Sequence, residues 1–131
     1  MMKLSRFLLP FLFAGLFSGA VWADNDVQTS MRAMGKSLAA AEKADTAAGL
    51  QKELTALRET IIAAQKQVPE KLKDQPADNP KRVVYAEGMG KLLTETDRAL
   101  ALLKDNKLDE AKAVLATLKS LRGEYHQKMK S

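Results

Sequence analysis

The sequence predicts an all-α fold, an antiparallel up-down-up-down four-helix bundle, and three features carry this prediction. Apolar or small residues recur at alternating steps of four and three residues in four separate segments, the pattern of helices packed nearly parallel or antiparallel. Turn and capping residues separate these segments. No stretch shows the two-residue alternation of a β-strand. Two short turns and one longer loop favour antiparallel neighbours, with an elongated helical hairpin that dimerises as the alternative.

Each predicted helix has one line of mostly apolar or small residues along its length, which we call its seam. The first seam consists of Val27, Met31, Met34, Leu38 and Ala41. The second consists of Leu50, Leu54, Leu57, Ile61, Ala64 and Val68. The third, which is less purely apolar, consists of Tyr85, Met89, Leu92, Thr96, Ala99 and Leu103. The fourth consists of Leu108, Ala111, Leu115 and Leu118, and continues through Arg122, Tyr125 and Met129.

The residues between the seams predict the connections. Asp45-Thr46 suits the N-terminal cap of the second helix, directly after the first. Three prolines make residues 68–80 the one long loop. Residues 104–106, with the sequence Lys-Asp-Asn, suit a tight turn before the fourth helix.

The first residues have the organisation of a secretory signal peptide. Two basic residues precede an apolar core over residues 7–17, and the small residue Ala23 follows where a signal peptidase cleaves. This core is about half as long as the roughly twenty residues that cross a bilayer. We therefore predict a signal peptide over residues 1–23, cleavage after Ala23, one exported domain over residues 24–131, and no membrane insertion after cleavage.

The composition limits the chemistry of this domain. The chain has no cysteine, which excludes disulfides, a lipoprotein anchor, thiolate metal sites and the covalent attachment of a c-type haem. The formal net charge of +5 is spread among acidic residues, with no block of like charge along the sequence. Nucleic-acid binding normally needs a concentrated basic face, so no nucleic-acid partner is expected.

Met31 and His126, the only histidine, are the candidate ligands of a cofactor. Met31 lies near the start of the first predicted helix and His126 near the end of the fourth. In an up-down-up-down bundle these two positions share one end. A thioether and an imidazole can together bind one haem iron. Considered singly, neither residue needs to be a ligand. Met31 could be a core methionine that fills a gap in the packing, and His126 could be a solvated histidine near a helix C-terminus.

Five further residues belong to the same predicted end. Leu57 and Ile61 of the second helix and Tyr85 and Met89 of the third supply apolar lining, although Tyr85 and Met89 could also be ordinary core residues. Arg122 occupies a seam position one turn before His126, where the pattern predicts an apolar residue. Either its stem snorkels to solvent or its charge lies at the edge of the cofactor.

Three sequence blocks carry a resemblance to a known family. They are Glu42-Lys43-Ala44-Asp45 followed by Ala47-Ala48, Ala64-Gln65-Lys66 with Pro69 and Lys71-Leu72, and Tyr125-His126-Gln127-Lys128. With these blocks and the spacing between them, residues 24–131 resemble the soluble cytochromes b562, which are up-down-up-down bundles.

The resemblance implies a periplasmic protein with a non-covalently held haem b. The family's axial methionine falls on Met31 and its axial histidine on His126. Met34, three residues after Met31, is the neighbouring methionine that the register disfavours as the ligand. The family's pair of haem-flanking aromatic residues falls on Tyr85 and Met89, so the second position departs from the pattern. The family's arginine one turn before the histidine falls on Arg122.

These observations favour a periplasmic one-electron carrier that works with redox protein partners and is able to close as a monomer. The alternative is a haem-free helical binding protein or chaperone of the cell envelope. An enzyme is not expected, because one histidine cannot supply the paired Glu-x-x-His motifs of a di-iron bundle. The chain likewise has no second histidine to serve as the distal acid-base residue of a peroxidase.

Overall fold

Four α-helices account for most of residues 27–130, the part of the chain that a computed structural model describes. They are α1 (Val27–Lys43), α2 (Ala47–Gln65), α3 (Pro80–Lys104) and α4 (Leu108–Lys130), and a short 3-10 helix, Glu70–Leu72, lies in the long loop. No strand occurs among the described residues, so the predicted all-α class is confirmed. None of these helices has the length and apolar character needed to cross a bilayer. The predicted signal peptide over residues 1–23 lies outside the described residues.

The four helices form the predicted up-down-up-down bundle within one chain. Each helix packs closely against the next, whereas α1 and α4 make the fewest contacts of the four neighbouring pairs. At one end of the bundle, Lys81 at the start of α3 donates from Nζ to the carbonyl oxygen of Met129 at 2.9 Å. At the other end, Lys112 near the start of α4 donates to the carbonyl oxygen of Ala44 at 2.8 Å. The bundle is closed by a single chain, so the hairpin alternative is wrong.

The predicted seams form the core. Leu54 and Ile61 of α2 are fully buried, and Leu118 of α4 is 1% exposed. The polar seam residue Thr96 is also fully buried, and its hydroxyl donates to the carbonyl oxygen of Leu92 at 2.8 Å. Because this local bond satisfies the hydroxyl, threonine is tolerated in an apolar layer.

Side chains at the helix ends explain where the helices begin and stop. Thr46 caps α2, as predicted, by accepting a hydrogen bond from the Gly49 amide at 3.0 Å. Asn79 caps α3 in the same way, with Pro80 at the first helical position. Asn106 adopts a left-handed conformation, with φ of 61°, just after α3.

Two predicted boundaries are shifted by a few residues. Helix α2 ends at Gln65, so Val68 of the second seam lies beyond the helix, because Pro69 disfavours helical backbone in the residue before it. The turn between α3 and α4 begins one residue later than predicted, since Lys104 is still helical. Here the amide of Lys107 bonds to the Leu102 carbonyl at 2.9 Å, the pattern of a Schellman motif.

Candidate cofactor site

A cavity of about 600 Å³ lies between α1, α3 and α4, at the end of the bundle where α1 begins and α4 ends. Its position follows from the sparse contacts between α1 and α4, which leave that side of the bundle open. The volume is within the range of sites for small molecules and cofactors. Its apolar wall includes Val27, Met31, Tyr85, Met89, Leu92 and Met129.

Met31 and His126 both line this cavity. Met31 is half-buried on α1 and packs against the hydrophobic core. His126 is on α4 and is exposed, because it lies at the opening rather than in the core. The fold therefore brings the two candidate ligands to one cavity from opposite ends of the described chain.

Met34 occupies a different environment from Met31. Its side chain is 1% exposed and belongs to the core between the helices. Of the two methionines on the α1 seam, only Met31 lines the cavity. Both methionines belong to the α1 seam, but three residues at 3.6 per turn leave an offset of about 60° around the helix, so Met31 lies at the α4 side of the seam and Met34 in the core.

Arg122 crosses the gap between α4 and α1. Its Nη2 atom donates to the carbonyl oxygen of Met31 at 3.4 Å. A Cβ atom at Gly35 would lie only 2.9 Å from the same nitrogen, so this glycine provides the room for the guanidinium. The arginine lines the cavity and places its positive charge on the wall beside Met31. Sequence reasoning missed Gly35, whose small size facing an arginine of a distant helix becomes apparent only in the folded chain.

Tyr85 and Met89, on successive turns of α3, are both buried and both line the cavity. Leu57 and Ile61 of α2 do not line it, because they are buried in the core between the helices. The Tyr85 hydroxyl donates to the carbonyl oxygen of Ala64 on α2 at 2.7 Å. Burial raises the pKa of Tyr85 from 10.0 to about 12. The hydrogen bond fixes the ring against α2 while one side of it contributes to the cavity wall.

Replacing Tyr85 with phenylalanine should lower the free energy of unfolding at neutral pH by about 1 kcal/mol, since the buried hydrogen bond to the Ala64 carbonyl is lost. That carbonyl keeps the Gln67 amide as a donor at 3.1 Å. The pKa is higher in the folded state, so the contribution of Tyr85 is fully present below pH 10 and is lost as the pH rises towards 12. Urea denaturation of both proteins across this range should show the stability difference closing. A difference that stays constant from neutral pH to pH 12 would contradict this role of the hydroxyl.

Tyr125 is a cavity residue whose role the sequence did not reveal, although the seam of α4 includes it. It is 5% exposed and lines the cavity. The ammonium groups of Lys128 and Lys91 lie 4.5 and 5.7 Å from the centre of its ring. Its buried hydroxyl has no partner in hydrogen-bonding geometry among the described residues.

Gly88 of α3 makes room for the Tyr125 ring, since a Cβ atom there would lie 2.8 Å from two ring carbons. Gly88→Ala should therefore lower the free energy of unfolding, because overpacking against the ring costs about 1–3 kcal/mol. The better helix propensity of alanine offsets at most about 1 kcal/mol of this cost. Gly90 is the matched control, because a Cβ atom there has nothing within 4 Å. Gly90→Ala should stabilise the helix by up to about 1 kcal/mol. Equal urea midpoints for the two variants would show that the Tyr125 ring can move away at no cost.

The groups in this cavity suit a flat, largely apolar cofactor with a metal ion and acidic substituents. Thioether and imidazole donors lie on its walls, and these are two of the residue types that ligate haem iron. The guanidinium of Arg122 can pair with a carboxylate. Since the chain has no cysteine, thioether links to such a cofactor are impossible.

Comparison with known proteins points to the same chemistry. A sequence model of the cytochrome b562 family matches residues 26–130, which include all four helices. The chain is also 39% identical over 104 residues to a protein of Yersinia pestis described as probable soluble cytochrome b562 2. That alignment covers 79% of this chain and 78% of the relative.

Proposed function

The chain belongs to the cytochrome b562 family of b-type, electron-carrying haem proteins, and on that premise we propose that it carries single electrons in the periplasm. One haem b is held without covalent bonds in the cavity between α1, α3 and α4. Residues 1–23 direct export and are removed after Ala23, which leaves residues 24–131 as the mature protein. Redox proteins supply and remove the electron.

Met31 and His126 are the proposed axial ligands. The observation that carries this assignment is that both side chains line one cavity, one from each of the two helices that border its opening. The burial of Met34 in the core supports Met31 as the sulfur ligand. No other histidine exists to compete with His126.

When bound, haem supplies reversible one-electron chemistry at its iron. Met31 and His126 would both bind the iron, and the iron would then have no open position for oxygen or a substrate. The Met31 thioether favours the reduced state and thereby raises the reduction potential. Because both residues are fixed on helices of one bundle, they need to move little between the two oxidation states.

The remaining residues of the wall exclude water and balance charge. Tyr85 and Met89 cover the faces of the cavity with buried apolar surface. Arg122 is held between α4 and the carbonyl of Met31, where its charge favours a haem carboxylate at the edge of the site.

Titration of the purified haem-free protein with haem tests the proposal. We expect saturation at one haem per chain and a rise in the melting temperature, because a ligand that binds only the folded state stabilises it. The absence of saturable binding, with the helical circular dichroism signal intact, would instead favour the haem-free envelope protein.

A further inference from the structure

The fold gathers basic residues that are dispersed along the sequence. Lys112, Lys119, Arg122, His126 and Lys130 recur at helical spacing on one face of α4. Contacts show that this face points towards α1. Lys112 reaches the Ala44 carbonyl at 2.8 Å, Lys119 pairs with Glu42 at 3.1 Å, and Arg122 reaches the Met31 carbonyl at 3.4 Å.

The opening of the cavity lies along this face and is bordered by positive charge. Lys119 and Arg122 line the cavity, and among the described residues no carboxylate does. On the α1 side, the exposed Arg32 lies one turn after Gln28, which also lines the cavity. At the end of α4, Lys130 is exposed. We name Arg32, Lys119, Arg122 and Lys130 the basic rim.

Among residues 27–130, the acidic side chains near this end do not line the cavity. Asp74 and Asp78 are exposed in the long loop, and Glu42 pairs with Lys119 of the rim. Glu124 of α4 is off the basic face and pairs with Lys128 at 3.2 Å. Glu87 of α3 pairs with Lys91 at 3.7 Å. The opposite end of the bundle is mixed in charge, since it carries Asp45, Asp105, Asp109 and Glu110 together with Lys43, Lys104 and Lys107. Within the described residues, the side chains that border the cavity are therefore basic, whereas the opposite end carries both signs of charge.

We propose that the basic rim is the docking surface for an acidic face of a redox partner protein. The inference rests on the proposed function, because the rim borders the cavity that would hold the haem. Complementary charge raises the rate of encounter and orients the partners. A carboxylate-rich partner would thus be guided to the opening of the cavity and away from the opposite end of the bundle, which carries both acidic and basic residues.

Electron transfer to two small oxidants of opposite charge tests this proposal on the haem-loaded protein. Each oxidant takes up one electron without proton transfer: hexacyanoferrate(III), an anion, and tris(phenanthroline)cobalt(III), a cation. Raising the ionic strength from about 10 mM to about 200 mM should slow the first reaction and speed up the second, since salt screens both interactions.

A pair of matched variants localises the effect. Lys119→Gln/Lys130→Gln should lower the rate constant with hexacyanoferrate at low ionic strength by about threefold to tenfold. Lys52→Gln/Lys107→Gln removes the same charge from sites away from the rim and should change the rate constant by less than about twofold. Equal effects of the two variants would overturn the proposal. Weaker haem binding by the rim variant, with an unchanged rate constant, would show that the rim only neutralises the cofactor's carboxylates.

Binding of an acidic peptide gives a readout that does not depend on electron transfer. Hexaglutamate should shift the amide NMR signals around the basic rim in the wild-type protein and in the Lys52→Gln/Lys107→Gln control, but not in the rim variant. Shifts scattered over the surface would overturn the proposal. So would cosedimentation with phosphatidylglycerol vesicles through the same lysines, which would assign the rim to a membrane surface. If haem failed to bind while the peptide still mapped to the rim, the proposed electron-carrier function would fail and the docking surface would remain.

Discussion

Replacing His126 with alanine should abolish the six-coordinate low-spin haem spectrum and weaken haem binding by on the order of 100-fold or more. Loss of residues that merely orient a metal ligand already costs about 10–100-fold in affinity, and this change removes the ligand itself. His126 is exposed on α4, so the substitution should leave the fold intact. Absorption titration with haem measures the loss directly.

Two controls separate loss of ligation from a general change in the site. Free imidazole added to the His126→Ala protein should restore a six-coordinate spectrum, because it can occupy the position of the missing ring. Gln127→Ala, a change in the next residue, which also lines the cavity, should leave the spectrum unchanged. A six-coordinate spectrum in His126→Ala without added imidazole would contradict the assignment of His126 as a ligand of the haem iron.

Replacing Met31 with alanine should lower the reduction potential and open a coordination site that binds carbon monoxide. Thioether ligation favours reduced iron, and its loss removes that preference. We expect a fall on the order of 0.1 V, a fraction of the roughly 0.8 V range over which axial ligands set haem potentials. Spectroelectrochemistry gives the potential, and the spectrum under carbon monoxide reports the open site.

Met34→Ala is the matched control on the same helix. Met34 is a core residue, so the change should cost about 2–5 kcal/mol of stability through the cavity that it leaves. The potential should stay close to that of the wild type, and carbon monoxide should not bind. If Met34→Ala opened the site and Met31→Ala did not, the sulfur ligand would be Met34.

The fold was predictable because its main determinants are local and periodic. The seams, the Thr46 cap and the proline-rich loop are properties of short segments, and four such segments with short connections have few ways to pack. Exact ends were less predictable because they depend on hydrogen bonds around single residues. Val68 continues the spacing of the α2 seam, yet the helix stops at Gln65, ahead of Pro69.

The cavity wall was only partly predictable because it depends on contacts between distant segments. A repeat of three and four residues places both Met31 and Met34 on the α1 seam, but it does not say which of them faces the gap towards α4. The sequence identified Arg122 as a charged residue in the α4 seam. Its contact with Gly35 and its hydrogen bond to the Met31 carbonyl could not be predicted, because they exist only when α1 and α4 are packed together.

The basic rim shows the same limit of the sequence more clearly. Along the chain its residues are separated by acidic and apolar segments, so the sequence contains no block of positive charge. They meet because α1 and α4 are neighbours and run antiparallel. Within residues 27–130, Glu42 is the acidic side chain that pairs with the rim, through Lys119. A charge pattern that exists only across two helices is not visible in a linear reading.

The most direct test of the central claim is the absorption spectrum of the haem-loaded protein, first oxidised and then reduced with dithionite. Ligation by Met31 and His126 predicts a narrow Soret band and resolved α and β bands on reduction. It also predicts a weak near-infrared band from thioether ligation to ferric iron, which should disappear in Met31→Ala. A broad Soret band without resolved α and β bands, in a protein whose helices remain intact, would contradict the account.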